Sequence, residues 1–181
     1  MVRKIKTHGR VEEIDRNGEI FLPIGHYALI NCKSKPNNKN PKISIYGLGS
    51  CIALILLDYK NNISGMSHIL LPKAKKTKRI EYPHKYADLS AKLLVQELIR
   101  HGAIKGNIKA VIIGGSKIFD LDENFMGIDN IQAIKLELEK LGIKILKEHL
   151  GGKEGRAVVF DTKDFTVFVK LTSEENYTKL L

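Results

Sequence analysis

The chain has 181 residues, 43% of them hydrophobic and 28% charged, and a formal net charge of +10. That composition fits one globular domain, or one with a small second subdomain. The longest apolar run, Ile52 to Leu57, is too short to span a membrane, and the charged N-terminus has no apolar signal core, so the expectation is a cytoplasmic protein without membrane insertion.

Val11 to Pro23 reads as a hairpin around Asn17-Gly18. Tyr27 to Ile30 is a short strand, and Lys33 to Pro41 is a polar loop that holds neither apolar period. Ile43 to Tyr46 is a strand that runs into Gly47-Leu48-Gly49-Ser50-Cys51. Ile52 to Tyr59 is apolar on both faces and predicts a central strand, followed by a turn at Lys60-Asn61-Asn62 and a strand from Ile63 to Leu71. Lys73 to Lys85 is a basic loop. The spacing of Ala87, Ala91, Leu94, Val95 and Leu98 predicts a helix from Ala87 to His101, and Ile131, Ile134, Leu138 and Leu141 predict a second from Asp129. Strands are predicted at Ala110 to Ile113, Ile143 to His149, Arg156 to Phe160 and Phe165 to Leu171. Residues 171–181 read as a polar tail that frays. Strands clustered before and after two helices give a mixed α/β fold rather than a repeated βαβ unit.

The familiar phosphate and metal signatures fail. Gly47-Leu48-Gly49-Ser50-Cys51-Ile52 has Ile52 where a dinucleotide fingerprint needs a third glycine, and no Cys-x-x-Cys or His-Glu-x-x-His is present. Two cysteines make no disulfide framework, so Cys32 and Cys51 are expected as free thiols. Cys32 sits in polar sequence and Cys51 in apolar sequence.

What remains is cysteine chemistry. A nucleophilic cysteine needs a thiolate, a base for its proton and donors for the developing oxyanion. Of six histidines, His68 lies in an apolar strand beside the Cys51 strand. From spacing alone, Cys51 also reads as a small buried hydrophobe, His68 as a satisfied core histidine and the glycine break as a bulge. A tight hairpin around Asn61-Asn62 would set Cys51 opposite Leu71 or Pro72, with His68 about 10–13 Å away, unless the chain bends at Gly47, Gly49 or Gly65.

Gly47-Leu48-Gly49-Ser50-Cys51, followed by His68 and Leu71-Pro72, resembles the chemoreceptor glutamine deamidases, the CheD family. The similarity continues in order through Lys85-Tyr86-Ala87-Asp88, Gly114-Gly115-Ser116 with Phe119, Gly127-Ile128-Asp129-Asn130, and Gly151-Gly152 with Gly155-Arg156. It spans about residues 23–170 of a single domain 1–181, leaving 1–22 as an N-terminal extension, 31–42 as an insert and 171–181 as the tail. The resemblance implies a layered mixed α/β fold with two main helices, similar to glutamine-deamidating bacterial toxins. It implies hydrolysis of glutamine side-chain amides on methyl-accepting chemoreceptors, with Cys51 as nucleophile, His68 as base and acid, and no metal or organic cofactor. The glycine pattern suggests oxyanion donors around Gly49 and Ser50. A family threonine six residues before the cysteine is Ile45 here, with Ser44 beside it. Either the Ile45 backbone carbonyl orients the imidazole, or the orienting group is lost. The family's arginine before Asn130 is Asp129.

The positive charge fits an acidic receptor bundle docked through Lys73, Lys75, Lys76, Lys78 and Arg79, and reads otherwise as a solvated loop. A CheC-type phosphatase is the second implied partner. The alternative function is a non-catalytic chemotaxis protein that docks on receptors or on that phosphatase. Nucleic acid is a third, weaker reading, with no base-reading motif to support it.

Overall fold

Ile52 to Asp58 carries apolar side chains on both faces, and both faces are covered. In the computed structural model, which describes residues 9–11, 13–31, 41–74, 80–118 and 126–181, all seven residues of this strand are buried. In chain order the described elements are β1 (Glu19–Phe21), β2 (Tyr27–Asn31), β3 (Lys42–Leu48), β4 (Ile52–Asp58), β5 (Ile63–Ile69), α1 (Ala87–Arg100), β6 (Lys109–Gly114), α2 (Met126–Leu141), β7 (Lys144–Leu150), β8 (Arg156–Asp161), β9 (Thr166–Leu171) and β10 (Thr178–Lys179).

The strands form two five-stranded sheets. One has the order β1-β3-β8-β9-β10 and the other β2-β5-β4-β6-β7. The alternation of side chains along β4 divides the core. Ala53, Ile55 and Leu57 pack with Ile43, Ile45, Val158 and Phe160 between the sheets. Ile52, Leu54 and Leu56 pack with Ala91, Leu94 and Leu98 of α1 and Ile134 and Leu138 of α2. The result is three layers, helices on sheet on sheet, as the mixed α/β reading predicts. Among the described residues no helix is long and apolar enough to cross a membrane. Leu54→Ala, a truncation at a fully buried position of the middle layer, is expected to destabilise by about 3 kcal/mol. Urea unfolding checks this.

Three boundaries differ from the sequence reading. The turn at Asn17-Gly18 forms, held by the Asp15 carboxylate on the amides of Asn17 and Glu19 (2.9 and 2.8 Å), but only its C-terminal arm is a strand. That arm, β1, pairs in parallel with β3 instead of folding back as a hairpin. Upstream, Arg10 bridges Tyr27. The tail does not fray. β10 pairs with β9, and Leu180 and Leu181 pack against the inter-sheet core, so two apolar terminal residues anchor an otherwise polar segment. Helix α2 begins at Met126, three residues before the expected Asp129. Cys32, the polar loop up to residue 40 and the basic cluster at 75–79 lie outside the described residues.

Candidate active site

The glycine break is the corner where the chain leaves one sheet and enters the other. β3 belongs to the first sheet and β4 to the second, so residues 49–51 must cross between layers. β3 continues past Gly47 to Leu48 through a bulge between Ile45 and Leu48. At Gly47 the requirement is conformational, a φ of 72°, whereas a Cβ at Gly49 would meet only the tip of the exposed Ile118 side chain. Cys51 therefore sits at the head of β4, on the same strand face as Ala53, within the inter-sheet core and only 8% exposed.

His68 joins it through strand register. The turn between β4 and β5 takes four residues, Tyr59 to Asn62, with Asn62 at φ 56° and the Asp58 carboxylate receiving the Asn61 amide and side chain. Asp58 pairs with Ile63, Ala53 with His68 and Ile52 with Ile69, which sets Leu70 opposite Cys51. This corrects the expected Leu71 or Pro72. Against Leu71 the change is one residue and moves β5 to the other face; against Pro72 it is two residues, which keeps the face and brings His68 from four residues to two from the position opposite Cys51. Cys51 and His68 become diagonal neighbours on one face, a separation of about 7–8 Å between backbones that long side chains bridge.

The imidazole is oriented from behind. His68 Nδ1 lies 3.0 Å from the carbonyl oxygen of Leu22. A carbonyl only accepts, so Nδ1 carries the proton and Nε2 presents a lone pair. Leu22 follows β1, is 4% exposed, and its own amide donates to Ser44 O at 2.9 Å. The orienting carbonyl is thus supplied by Leu22 and not by Ile45. Ile45 pairs with Val158 in the first sheet and fills the core with its side chain. The Ser44 hydroxyl is no substitute either, since it donates to Glu19.

Burial dominates the electrostatics of the pair. It pushes the Cys51 thiol up, and the residue's own amide, directed at Sγ, only partly offsets this. It pulls His68 down, opposed by the Leu22 hydrogen bond and aided by the nearby His26. Both shifts favour a neutral thiol beside a neutral imidazole over a resting thiolate–imidazolium pair. Among the described residues, no three His, Cys, Asp or Glu side chains converge to hold a metal ion.

The turn that carries Cys51 is held by groups to which the sequence reading assigned no role. Gly49 O accepts from Ser116 N and Cys51 O from Gly115 N, both at 2.9 Å. Asn130, wholly buried in the first turns of α2, donates its side-chain amide to Ser50 O and to Leu70 O, both at 2.9 Å. Behind Ser116 lies Arg156, 2% exposed, whose guanidinium donates to His149 O (2.6 Å), Ser116 Oγ (2.6 Å) and Gly151 O. The glycine-rich segments at 114–116 and 151–156 are therefore one structure around the Cys51 turn. Their repeated glycines and the asparagine opening α2 were the available signals. Leu22 had none, because its contribution is a main-chain oxygen.

Comparison with known proteins matches the sequence to a family. The family model described as CheD chemotactic sensory transduction matches residues 70–171, beginning two residues after His68. The chain is 40% identical over 137 residues to a protein of Clostridium botulinum (strain Hall) named probable chemoreceptor glutamine deamidase CheD, which covers 73% of this chain and 85% of that protein. A second protein of the same name, from the Eklund 17B strain of Clostridium botulinum, is 38% identical over 148 residues, covering 80% of this chain and 89% of its own length. The family model alone takes in more than half of the chain, and each relative is covered over most of its length: the chain belongs to the CheD family.

Proposed function

We propose that this protein is a cytoplasmic chemoreceptor glutamine deamidase, with Cys51 as nucleophile and His68 as general base and acid. One observation carries the reading: Leu22 O holds the Nδ1 proton of His68, so Nε2 is free as a base on the strand face that carries Cys51. The related proteins named as probable chemoreceptor glutamine deamidases point to the same substrate.

In this mechanism Nε2 takes the thiol proton as sulfur attacks Cδ of the substrate glutamine. The tetrahedral oxyanion faces the amides of Ser50 and Cys51. Nε2 then returns the proton to the departing nitrogen, which leaves as ammonia, and a thioester to Cys51 remains. Water, deprotonated by Nε2, attacks the thioester carbonyl, giving glutamate and regenerating the thiol. The near-closed site suits a single extended side chain such as glutamine entering from a partner surface. Lys73, Lys85 and Lys117 lie on the segments bordering the site and favour an acidic partner. A CheC-type phosphatase is proposed as a second partner of the same surface.

The test is incubation with chemoreceptor cytoplasmic fragments and peptide mass spectrometry. The expected result is the mass gain of amide-to-acid conversion at selected glutamines. No gain with the wild-type protein, with receptor binding retained, would instead favour a docking protein without catalysis.

The burial shifts also set a pH signature. Only neutral His68 acts as base, and its value is depressed, so the acid limb of kcat/KM is expected below about pH 6.5. In a Cys32→Ser background, iodoacetamide alkylation of Cys51 is expected to keep rising above about pH 8.5, because the thiol is raised. Fast, pH-independent alkylation at neutrality would indicate a preformed ion pair and contradict this assignment.

A further inference from the structure

Asn130 is wholly buried, and its side-chain nitrogen faces two main-chain oxygens, Ser50 O and Leu70 O, at 2.9 Å each. The amide cannot be turned over, since Oδ1 would then oppose two carbonyl oxygens. In the orientation it keeps, Oδ1 is buried without a partner among the described residues. An orphaned acceptor destabilises the fold, so the arrangement gives up some stability to hold those two carbonyls.

The two carbonyls bracket the nucleophile. Leu70 is opposite Cys51, one step beyond the last ladder pair, Ile52 with Ile69. Ser50 O belongs to the peptide unit whose N–H is that of Cys51. A trans peptide is planar with its C=O and N–H opposed, so fixing Ser50 O toward α2 aims the Cys51 N–H the other way. Ser116 N does the same for the preceding unit by holding Gly49 O, which frees the Ser50 N–H. Among the described residues no other residue accepts a hydrogen bond from either N–H, and the Cys51 N–H meets only its own Sγ.

We propose that Asn130 is a positioning residue that pre-aims the Cys51 N–H at the oxyanion of the tetrahedral intermediate, by anchoring the Ser50 carbonyl on one side and the Leu70 strand end on the other. The proposal rests on the deamidase reading. It assigns Asn130 no contact with substrate. The rigidity of α2, which also packs Ile134 and Leu138 into the helix-face core, is what transmits a fixed position to the turn.

The test compares two reactions of the same thiol. Deamidation passes through an oxyanion, whereas alkylation by iodoacetamide displaces iodide at a saturated carbon and forms none. Asn130→Ala is expected to lower kcat for receptor-fragment deamidation by about 10²-fold, the loss seen when an oxyanion donor is removed. KM and the Cys51 alkylation rate, in a Cys32→Ser background, are expected to stay near wild type. Asn130→Asp keeps the volume and donates only when its carboxyl is protonated, so its deamidation rate relative to wild type is expected to rise as pH falls. Full kcat in Asn130→Ala overturns the proposal, as does a parallel loss of deamidation and alkylation. If Asn130→Ala does not fold, a pH-independent Asn130→Asp ratio overturns it. Absence of Cys51-dependent deamidation in the wild-type protein overturns the underlying reading, and the proposal with it. That outcome is distinct, because it appears before any Asn130 variant is measured.

Discussion

Cys51→Ala is expected to abolish deamidation of receptor fragments, a loss of about 10⁴-fold or more, while leaving the fold intact. The magnitude follows from the chemistry. Without the sulfur there is no covalent route, and water would have to attack a resonance-stabilised amide directly. The fold should survive because the side chain is small and lies at the end of β4, not in its middle. Removing a thiol the size of a methyl group leaves only a shallow void between the sheets. His68→Gln is expected to lose less, about 10²–10⁴-fold, the usual range for a general base. The glutamine amide still donates to Leu22 O but accepts no proton. The two variants therefore separate the nucleophile from the base. A Cys51→Ala protein that still deamidates would remove the cysteine mechanism altogether.

Gly114→Ala is expected to destabilise by about 4 kcal/mol or more, or to prevent folding. Gly114 ends β6 at φ 122°, a conformation that side chains other than glycine rarely adopt. A Cβ there would overlap the Cys51 carbonyl oxygen, and the nearest atoms are main chain, so no rotamer change relieves the overlap. Relief requires β4 and β6 to part where Ile52 pairs with Gly114, at the head of the central strand. Any molecules that fold should also show lower deamidation, because the displaced group is the nucleophile's own backbone. Gly106→Ala is the control. Gly106 lies in a short 3₁₀ turn with open space where its Cβ would stand, and a change within about 0.5 kcal/mol is expected. Thermal unfolding of the two variants side by side checks the contrast.

Much of this architecture was legible in the chain, for identifiable reasons. β4 is continuous apolar sequence, and such a strand fits only where both faces are buried. Helix α1 announced itself through Ala87, Ala91, Leu94, Val95 and Leu98, all buried on the sheet. Cys51 and His68 were legible as chemistry-bearing residues beside glycines. Their relation in space was not. It depends on whether the turn after Asp58 uses two residues or four, and the four-residue form is stabilised by the Asp58 carboxylate and by Asn62 in a left-handed conformation. Either length fits the composition of Tyr59 to Asn62 and leaves His68 on the face of Cys51, but a two-residue turn at Asn61-Asn62 sets His68 four residues from the position opposite Cys51, and the observed turn sets it two.

The orienting group was hidden for a different reason. Leu22 contributes a carbonyl oxygen, which every residue has, and it comes from a segment read as an extension outside the core. The pairing of β1 with β3 sets it there, and parallel pairing between segments over twenty residues apart leaves little local trace. Ile45 was the residue that looked wrong for a catalytic role. In the structure it packs between the sheets, and the imidazole is oriented without it. Asn130 and Arg156 sat in segments that looked distinctive, but their work is done on carbonyls of distant loops, which sequence spacing does not reveal.

In the proposed mechanism a thioester to Cys51 lies on the path from glutamine to glutamate. Hydroxylamine tests it, because it intercepts a thioester faster than an amide. Receptor cytoplasmic fragments incubated with the wild-type protein and hydroxylamine should yield hydroxamate at the same glutamines that otherwise become glutamate, and Cys51→Ala should yield neither product. Glutamate without hydroxamate, or either product with Cys51→Ala, would rule out a Cys51 thioester.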